Sequence, residues 1–328
     1  MGSFLQQRAR RVLGALVGAL LAGTAGAPTV SAAGSSPFTG RGLLTVSDTT
    51  AARAATAAQA SGDSATARAL SLLAHRPQAL WITGGTAAPA EVVAAAAAAA
   101  RTRTTLVAVV YALPHRDCGG ASAGGLSAAG YRRLIASLSL PLGRSHAAVV
   151  LEPDALALVT CLTSTAATER YALLRGAVSV LTRAGASVYL DAGHAHWVDT
   201  ATMAARLRRA GVAAARGIAL NVSSYETTGD SIRDARALAA RLPGLHAVID
   251  TSRNGLGPTR DAQWCNAAGR ALGQPPHPVN DPVVDALLWV KHPGESDGSC
   301  GRQEPGAGTF WSAYAVGLVQ RSSWATRS

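Results

Sequence analysis

Seven short apolar runs, rich in valine, isoleucine and leucine, alternate with helical sequence along the chain, and this rhythm restricts the fold more than any other feature. The runs are QALWITGG, TLVAVVYALP, HAAVVLEPDA, SVYLDAG, RGIALNVSS, HAVIDTS and DALLWVKHPG. Between them lie stretches such as APAEVVAAAAAAART, and a helical segment AARAATAAQASGDSATARALSLL precedes the first. Apolar strands alternating with helices imply parallel strands covered on both faces. Polar residues recur where the last six of these runs stop: Tyr111, Glu152 with Asp154, Asp191, Asn221, Asp250 and Lys291. In a parallel α/β barrel the carboxyl ends of all strands open on one face, so these residues are expected to converge on one site. Helix capping accounts for any single Asp or Asn of this kind, but not for six successive strand ends. A doubly wound open sheet would bring a glycine-rich phosphate loop after its first strand, and WITGGTAAPAE lacks that fingerprint.

A chain of 328 residues that is 48% hydrophobic suits one large domain. Its first residues carry Arg8, Arg10 and Arg11, followed by an apolar run from Leu13 to Ala27 and the small-residue stretch VSA. This is the layout of a secretory signal peptide over 1–32, and a secreted, extracellular mature protein is expected; the alternative, a transmembrane anchor, is disfavoured because the run is short and glycine-rich for a span. Residues 33–37 read as a short lead-in, and 38–328 as a single domain. After cleavage no other stretch is apolar and long enough to hold the chain in a membrane. The net charge of +11 is scattered over helical stretches such as ARLRRAG (205–211), spaced as a solvated face without interleaved aromatics, so nucleic acid is not an expected partner. A monomer is expected.

Four cysteines in an exported chain imply two disulfides, for which three connectivities exist. No CxxC pair or neighbouring histidine offers a zinc site, and neither a metal nor a cofactor is expected. Carboxylates gather in a few loops: Asp117 in PHRDCGG, Asp154 in LEPDAL, Asp191 in YLDAGHAHW, Asp250 in IDTSRNG, and Glu295 and Asp297 in KHPGESDGSC. Several acids without metal ligands suit acetal hydrolysis, where one carboxyl must stay protonated to serve the leaving oxygen. Crowded acids and partly apolar surroundings both raise a pKa and so retain that proton. His194 and His196 raise the serine-hydrolase alternative, but no GxSxG elbow accompanies them. Of six tryptophans, Trp81, Trp197 and Trp264 fall in or beside the same loops, where indole faces can stack on sugar rings. Trp289 and Trp311 read as packing residues.

The segments VVYALPHRDCGGASAGG, VVLEPDAL, VYLDAGHAHW, LNVSSY, VIDTSRNG, WCN and WVKHPGESDG, in that order, resemble the successive motifs of glycoside hydrolase family 6, the inverting cellulases. SPFTGRGL and FWSAYAVGLV extend the similarity over nearly all of the mature chain. The resemblance implies an α/β fold, a distorted seven-stranded parallel β/α barrel, and a β-1,4-glucan polysaccharide or oligosaccharide as the partner. It implies that Asp154 is the general acid. Asp117 matches the aspartate that keeps the acid protonated and relays a proton from the attacking water. Tyr111 matches the tyrosine under the distorted sugar, and Ser122 the mobile-loop serine near the water. Lys291, Glu295 and Asp297 match substrate contacts, with Asp297 the disputed candidate for a direct base. That Lys291 is the only lysine of the chain fits a site needing a compact ammonium. Trp81, Trp197 and Trp264 match sugar-binding tryptophans, and Asp191, His194 and Asn221 are carried over as substrate contacts. Asn221 also heads an NVS sequon, and its strand-end position favours ligand contact.

The resemblance also pairs Cys118 with Cys161 and Cys265 with Cys300, each bridge holding two catalytic loops together. Departures from the family pattern are His115 two before the motif aspartate, Ala121 where an aromatic is common, and Thr200 where some relatives carry a further tryptophan. These bear on subsite strength and chain-length preference. Tunnel-forming cellobiohydrolases of the family have long roofing loops, whereas only about a dozen residues separate Asp297 from the last helix at Phe310. Internal cleavage in an open groove, with inversion, is therefore expected; the alternatives are cellobiohydrolase-type exo action, or a non-catalytic glycan- or cell-wall-binding protein on the same barrel.

Overall fold

A computed structural model of the protein describes residues 35–325, so the expected leader 1–32 lies outside the described residues. In chain order, β1 (Gly42–Leu43) precedes helices α1 (Thr50–Ala60) and α2 (Ser64–Ala74). Then come β2 (Leu80–Ile82), α3 (Ala88–Thr102), β3 (Thr104–Thr105), β4 (Val107–Val110), α4 (Ala128–Arg144), β5 (Ala148–Leu151), α5 (Ser164–Ala184) and β6 (Ser187–Asp191). The chain continues through α6 (Thr200–Ala210), β7 (Gly217–Leu220), α7 (Thr228–Arg241), β8 (His246–Asp250), β9 (His277–Pro278), β10 (Val284–Leu288) and α8 (Ser312–Gln320). The main sheet runs β2-β4-β5-β6-β7-β8-β10-β9. Its first seven strands are parallel, matching the seven apolar runs, while the short β9 adds an antiparallel edge that no periodicity announced.

Alternation along the strands sorts side chains into two cores. Val107, Val109, Val150, Tyr189, Ala219, Val248 and Leu288 point into the barrel, where Phe38 from the start of the domain also packs. Val110, Val149, Leu151, Val188, Leu190, Ile218 and Ile249 face the helices. The long helical segment divides because Gly62, at φ 83, turns the chain and the Asp63 side chain caps α2 at the Thr66 N–H. The alanine run of α3 has the best helix formers and a proline in its first turn. The barrel is distorted at one seam. No ladder joins β2 to β10 among the described residues; the Ala79 N–H donates to Trp289 O (3.1 Å) and the Trp81 indole N–H to Val290 O (2.8 Å). None of the described helices is long and apolar enough to cross a membrane.

Candidate active site

The polar residues at the strand ends divide into two groups, which corrects the expectation that all converge on one surface. Glu152, Asp191, Asn221 and Asp250 are 1% exposed or less and act as latches between neighbouring strand ends. Glu152 accepts hydrogen bonds from Ala112 N (3.1 Å) and Leu113 N (3.2 Å), fastening the β4 loop to β5. Asp191 Oδ1 accepts from the Asp154 and Gly193 N–H groups, both at 2.9 Å, and so fixes the β5 loop from β6. The Asn221 amide donates to Asp250 O (2.9 Å), and Asp250 accepts from Ser223 N, Val290 N and Lys291 N. A buried carboxylate or amide is tolerated because it is hydrogen-bonded, and here each bond is to the backbone of an adjacent loop. Asp191 and Asn221 thus stand behind the site and not on its surface, so the asparagine of the NVS sequon is buried.

The second group lines a cleft of about 750 Å³ at the carboxyl ends of the strands. It brings together Tyr111, Asp117, Ser122, Asp154, Lys291, Glu295 and Asp297, flanked by Trp81, His194, Trp197 and Trp264. Trp264 is 65% exposed and Trp197 38%, far more than packing residues of this size. His194 stacks on Trp197 with ring centres 4.9 Å apart, and Trp81 meets the Tyr111 ring edge-on at 5.6 Å. Asp154 sits at φ 65 and Asp117 at φ 57, backbone that side-chain-bearing residues rarely adopt. Asp117 is held by the Ser122 N–H (2.6 Å) and lies so close to Gly120 that a Cβ there would stand 2.6 Å from its carboxylate.

The carboxyls of the cleft differ in charge state. Burial, and then the negative charges of Asp117 and Asp297, push Asp154 up to about 7. Burial alone would also raise Asp297, but the Arg253 guanidinium (2.7 Å) and the Lys291 ammonium (3.2 Å) outweigh it and hold it below the usual carboxylate range. The Asn266 N–H adds a third donor at 2.9 Å. One carboxyl is therefore poised to give a proton while its neighbour stays anionic. Glu152 is likewise pushed up to about 7 by burial, away from the cleft.

Sequence reasoning missed the arginines. Arg253, 2% exposed, grips Asp297 and Ser223 O and lies 4.4 Å from the Tyr225 ring; it stood unnoticed inside the motif IDTSRNG. Arg116 donates to Tyr111 O (2.9 Å) and Ser122 O (2.8 Å), tying the Asp117 loop to the strand end. Arg206, within the stretch read as a solvated face, instead donates to Leu156 O and Ala157 O just beyond the acid, and buried Arg170 holds Ala155 O and His115 O. A guanidinium reaches several carbonyls at once, which suits fixing a loop that has no ladder. The departures His115 and Ala121 lie on the Asp117 loop, Ala121 at the cleft wall.

Both expected disulfides are present, Cys118–Cys161 and Cys265–Cys300. The first ties the Asp117 loop to the segment after Asp154; the second ties the Trp264 loop to that of Asp297. Removing Cys118–Cys161 as the double serine variant is expected to cost about 2–5 kcal/mol and to mobilise the Asp117 loop. Thermal unfolding with and without reductant, and protease nicking near Gly119, check it; an unchanged midpoint would refute it. Among the described residues one His/Glu/Asp group has metal-ligand spacing, His196 with Glu226 and Asp230.

A profile of the family described as Glycosyl hydrolases family 6 matches residues 38–322. The chain belongs to that family. It is 42% identical over 260 residues to Endoglucanase A of Cellulomonas fimi, covering 78% of this chain and 56% of that protein. With Endoglucanase 1 of Streptomyces halstedii the identity is 38% over 304 residues, covering 90% and 92% of the two chains. The chain thus spans about half the length of the first of these relatives. More distant is 1,4-beta-D-glucan cellobiohydrolase C of Emericella nidulans, 35% identical over 277 residues, with 66% and 61% covered. Among solved structures, an endoglucanase from Mycobacterium tuberculosis in complex with a methyl-cellobiosyl thio-cellobioside superposes with a TM-score of 0.82 at 42% identity, over 87% of this chain and 99% of that one. The chain shares with that structure a curled, mostly parallel sheet.

Proposed function

We propose that this family 6 protein is a secreted endo-β-1,4-glucanase that hydrolyses internal bonds of cellulose or a related β-glucan with inversion. The observation that carries the reading is the paired charge state in the cleft: Asp154 is protonated up to about pH 7 beside an Asp297 that two cations keep ionised. Asp154 gives its proton to the departing glycosidic oxygen as the bond to the anomeric carbon breaks. Water attacks the opposite face, its oxygen bonding to that carbon, and its proton passes to the Asp117 side of the cleft. Asp297 is a weak base in this setting, which favours stabilisation of the cationic sugar over direct proton abstraction. Tyr111 and the exposed indoles of Trp197 and Trp264 supply the floor and the platforms for the sugar chain. Inversion places the acid and the water-activating group about 6.5–9.5 Å apart.

The short segment after Asp297 and the exposure of Trp264 support an open groove, and the endoglucanase names borne by relatives at higher identity agree. Secretion is supported by the basic-then-apolar leader and the two disulfides. Soluble carboxymethyl-cellulose is expected to lose viscosity well ahead of reducing-sugar release, and proton NMR of the first product to show the α-anomer. Slow viscosity loss with cellobiose dominating would replace the endo reading by an exo one. A β-anomer would rule out inversion, and no hydrolysis of any β-1,4-glucan would end the enzymatic reading.

A further inference from the structure

His292 lies between two hydrogen-bond acceptors. Its Nε2 is 2.6 Å from Ala79 O, and its Nδ1 is 2.8 Å from Glu295 Oε1. A backbone carbonyl only accepts, so Nε2 must carry a hydrogen. An ionised carboxylate also only accepts, so Nδ1 must carry one too. The ring is then an imidazolium, and the His292–Glu295 pair holds one proton more than a neutral histidine beside a carboxylate. Two charged groups act on the ring: Glu295, which favours the cation, and the neighbouring Lys291, which opposes it. From the β2 side the facing group is the Ala79 carbonyl, which does not titrate. Burial lowers the affinity of His292 for its proton, but the hydrogen bond and charge of Glu295 with the Ala79 carbonyl prevail, and the net shift is upward from 6.5.

The contact sits at the barrel seam, where no ladder joins β2 to β10. Ala79 immediately precedes β2, whose Trp81 lines the cleft and donates its indole N–H to Val290 O. Glu295 lines the same cleft and is bridged on its other side to Phe310. A single side chain therefore connects the strand carrying a sugar platform with the loop carrying an acidic contact. We propose that His292 is a positioning residue that, as an imidazolium, holds Glu295 and the Trp81 strand in register for the glucan chain, so that substrate binding weakens as this ring deprotonates. The proposal rests on the glucanase reading for its ligand alone. The imidazolium contact is complete below about 6.5, the ordinary histidine value, and is lost as pH rises through the raised value.

The test separates this titration from that of the acid by using the Asp154→Asn background. Binding of cellotetraose, followed by calorimetry from acid to alkaline pH, is expected to weaken by about fivefold or more across the His292 ionisation. In Asp154→Asn/His292→Gln the affinity is expected to be low already at acid pH and flat with pH. By reciprocity, bound cellotetraose should raise the His292 pKa. Proton–carbon NMR of the wild-type ring is expected to titrate above 6.5, and Glu295→Gln should bring it down. An ordinary titration unaffected by Glu295→Gln, or the same pH dependence of binding with glutamine at position 292, would overturn the proposal. If no glucan oligosaccharide binds at any pH, the glucanase reading fails, while the NMR titration still decides whether the His292–Glu295 clamp exists.

Discussion

Asp154→Asn is expected to lower turnover of unactivated β-1,4-glucan by about 10²–10⁴-fold while leaving oligosaccharide binding in place. Asparagine keeps the shape of the side chain and its backbone N–H bond to Asp191, but it has no acidic proton to give. Substrates whose leaving group departs as a stable anion need little protonation, so a dinitrophenyl cellobioside should lose much less. In the unaltered protein, the alkaline limb of kcat/KM should fall near pH 7, where Asp154 loses its proton. Asp117→Asn removes a negative charge that raises Asp154 and should move that limb to lower pH.

A stability change should accompany the loss. The folded pKa of Asp154 lies near 7 against 3.8 for the free group, so the folded state holds a proton that the unfolded chain has released. Stability from this group is therefore full below 3.8 and declines as pH rises towards 7. Asparagine does not titrate, and the variant should melt higher than the parent by a margin that grows from acid to neutral pH. Near-normal turnover on glucan, or a variant that melts lower at neutral pH, would remove Asp154 from the acid role.

Arg253→Met is expected to destabilise the fold by about 3–5 kcal/mol. The guanidinium and Asp297 are both buried, and their ion pair is 2.7 Å long. Methionine fills much of the space but leaves the carboxylate with only the Lys291 ammonium at 3.2 Å and the Asn266 N–H at 2.9 Å. The tie to Ser223 O disappears as well. Calorimetric melting should fall by about 6–15 °C at neutral pH, and Asp297 should take up a proton at higher pH than before. The double variant Arg253→Met/Asp297→Asn should recover part of the stability, since it removes the stranded charge together with its partner. A single variant that melts within about 1 °C of the parent would mean that the pair is not coupled to folding.

The sequence alone determined the seven parallel strands, because a run of apolar residues covered on both faces has few other solutions in a chain of this length. It also determined the family, through ordered motifs, and placed Tyr111, Asp154 and Lys291 at strand ends. It did not determine which strand-end groups face the cleft. Period-two alternation orients side chains only while the ladder lasts, and beyond it Glu152, Asp154 and Asn221 all take positive φ. Their directions are then set by bonds to distant segments, such as Glu152 with Ala112, 40 residues away, or Asp154 with Asp191, 37 away. The charge states were equally out of reach. Asp154 and Asp297 are the same residue type in the same cleft, and only burial, Asp117 and the placement of Arg253 and Lys291 drive one towards the acid and the other towards the anion.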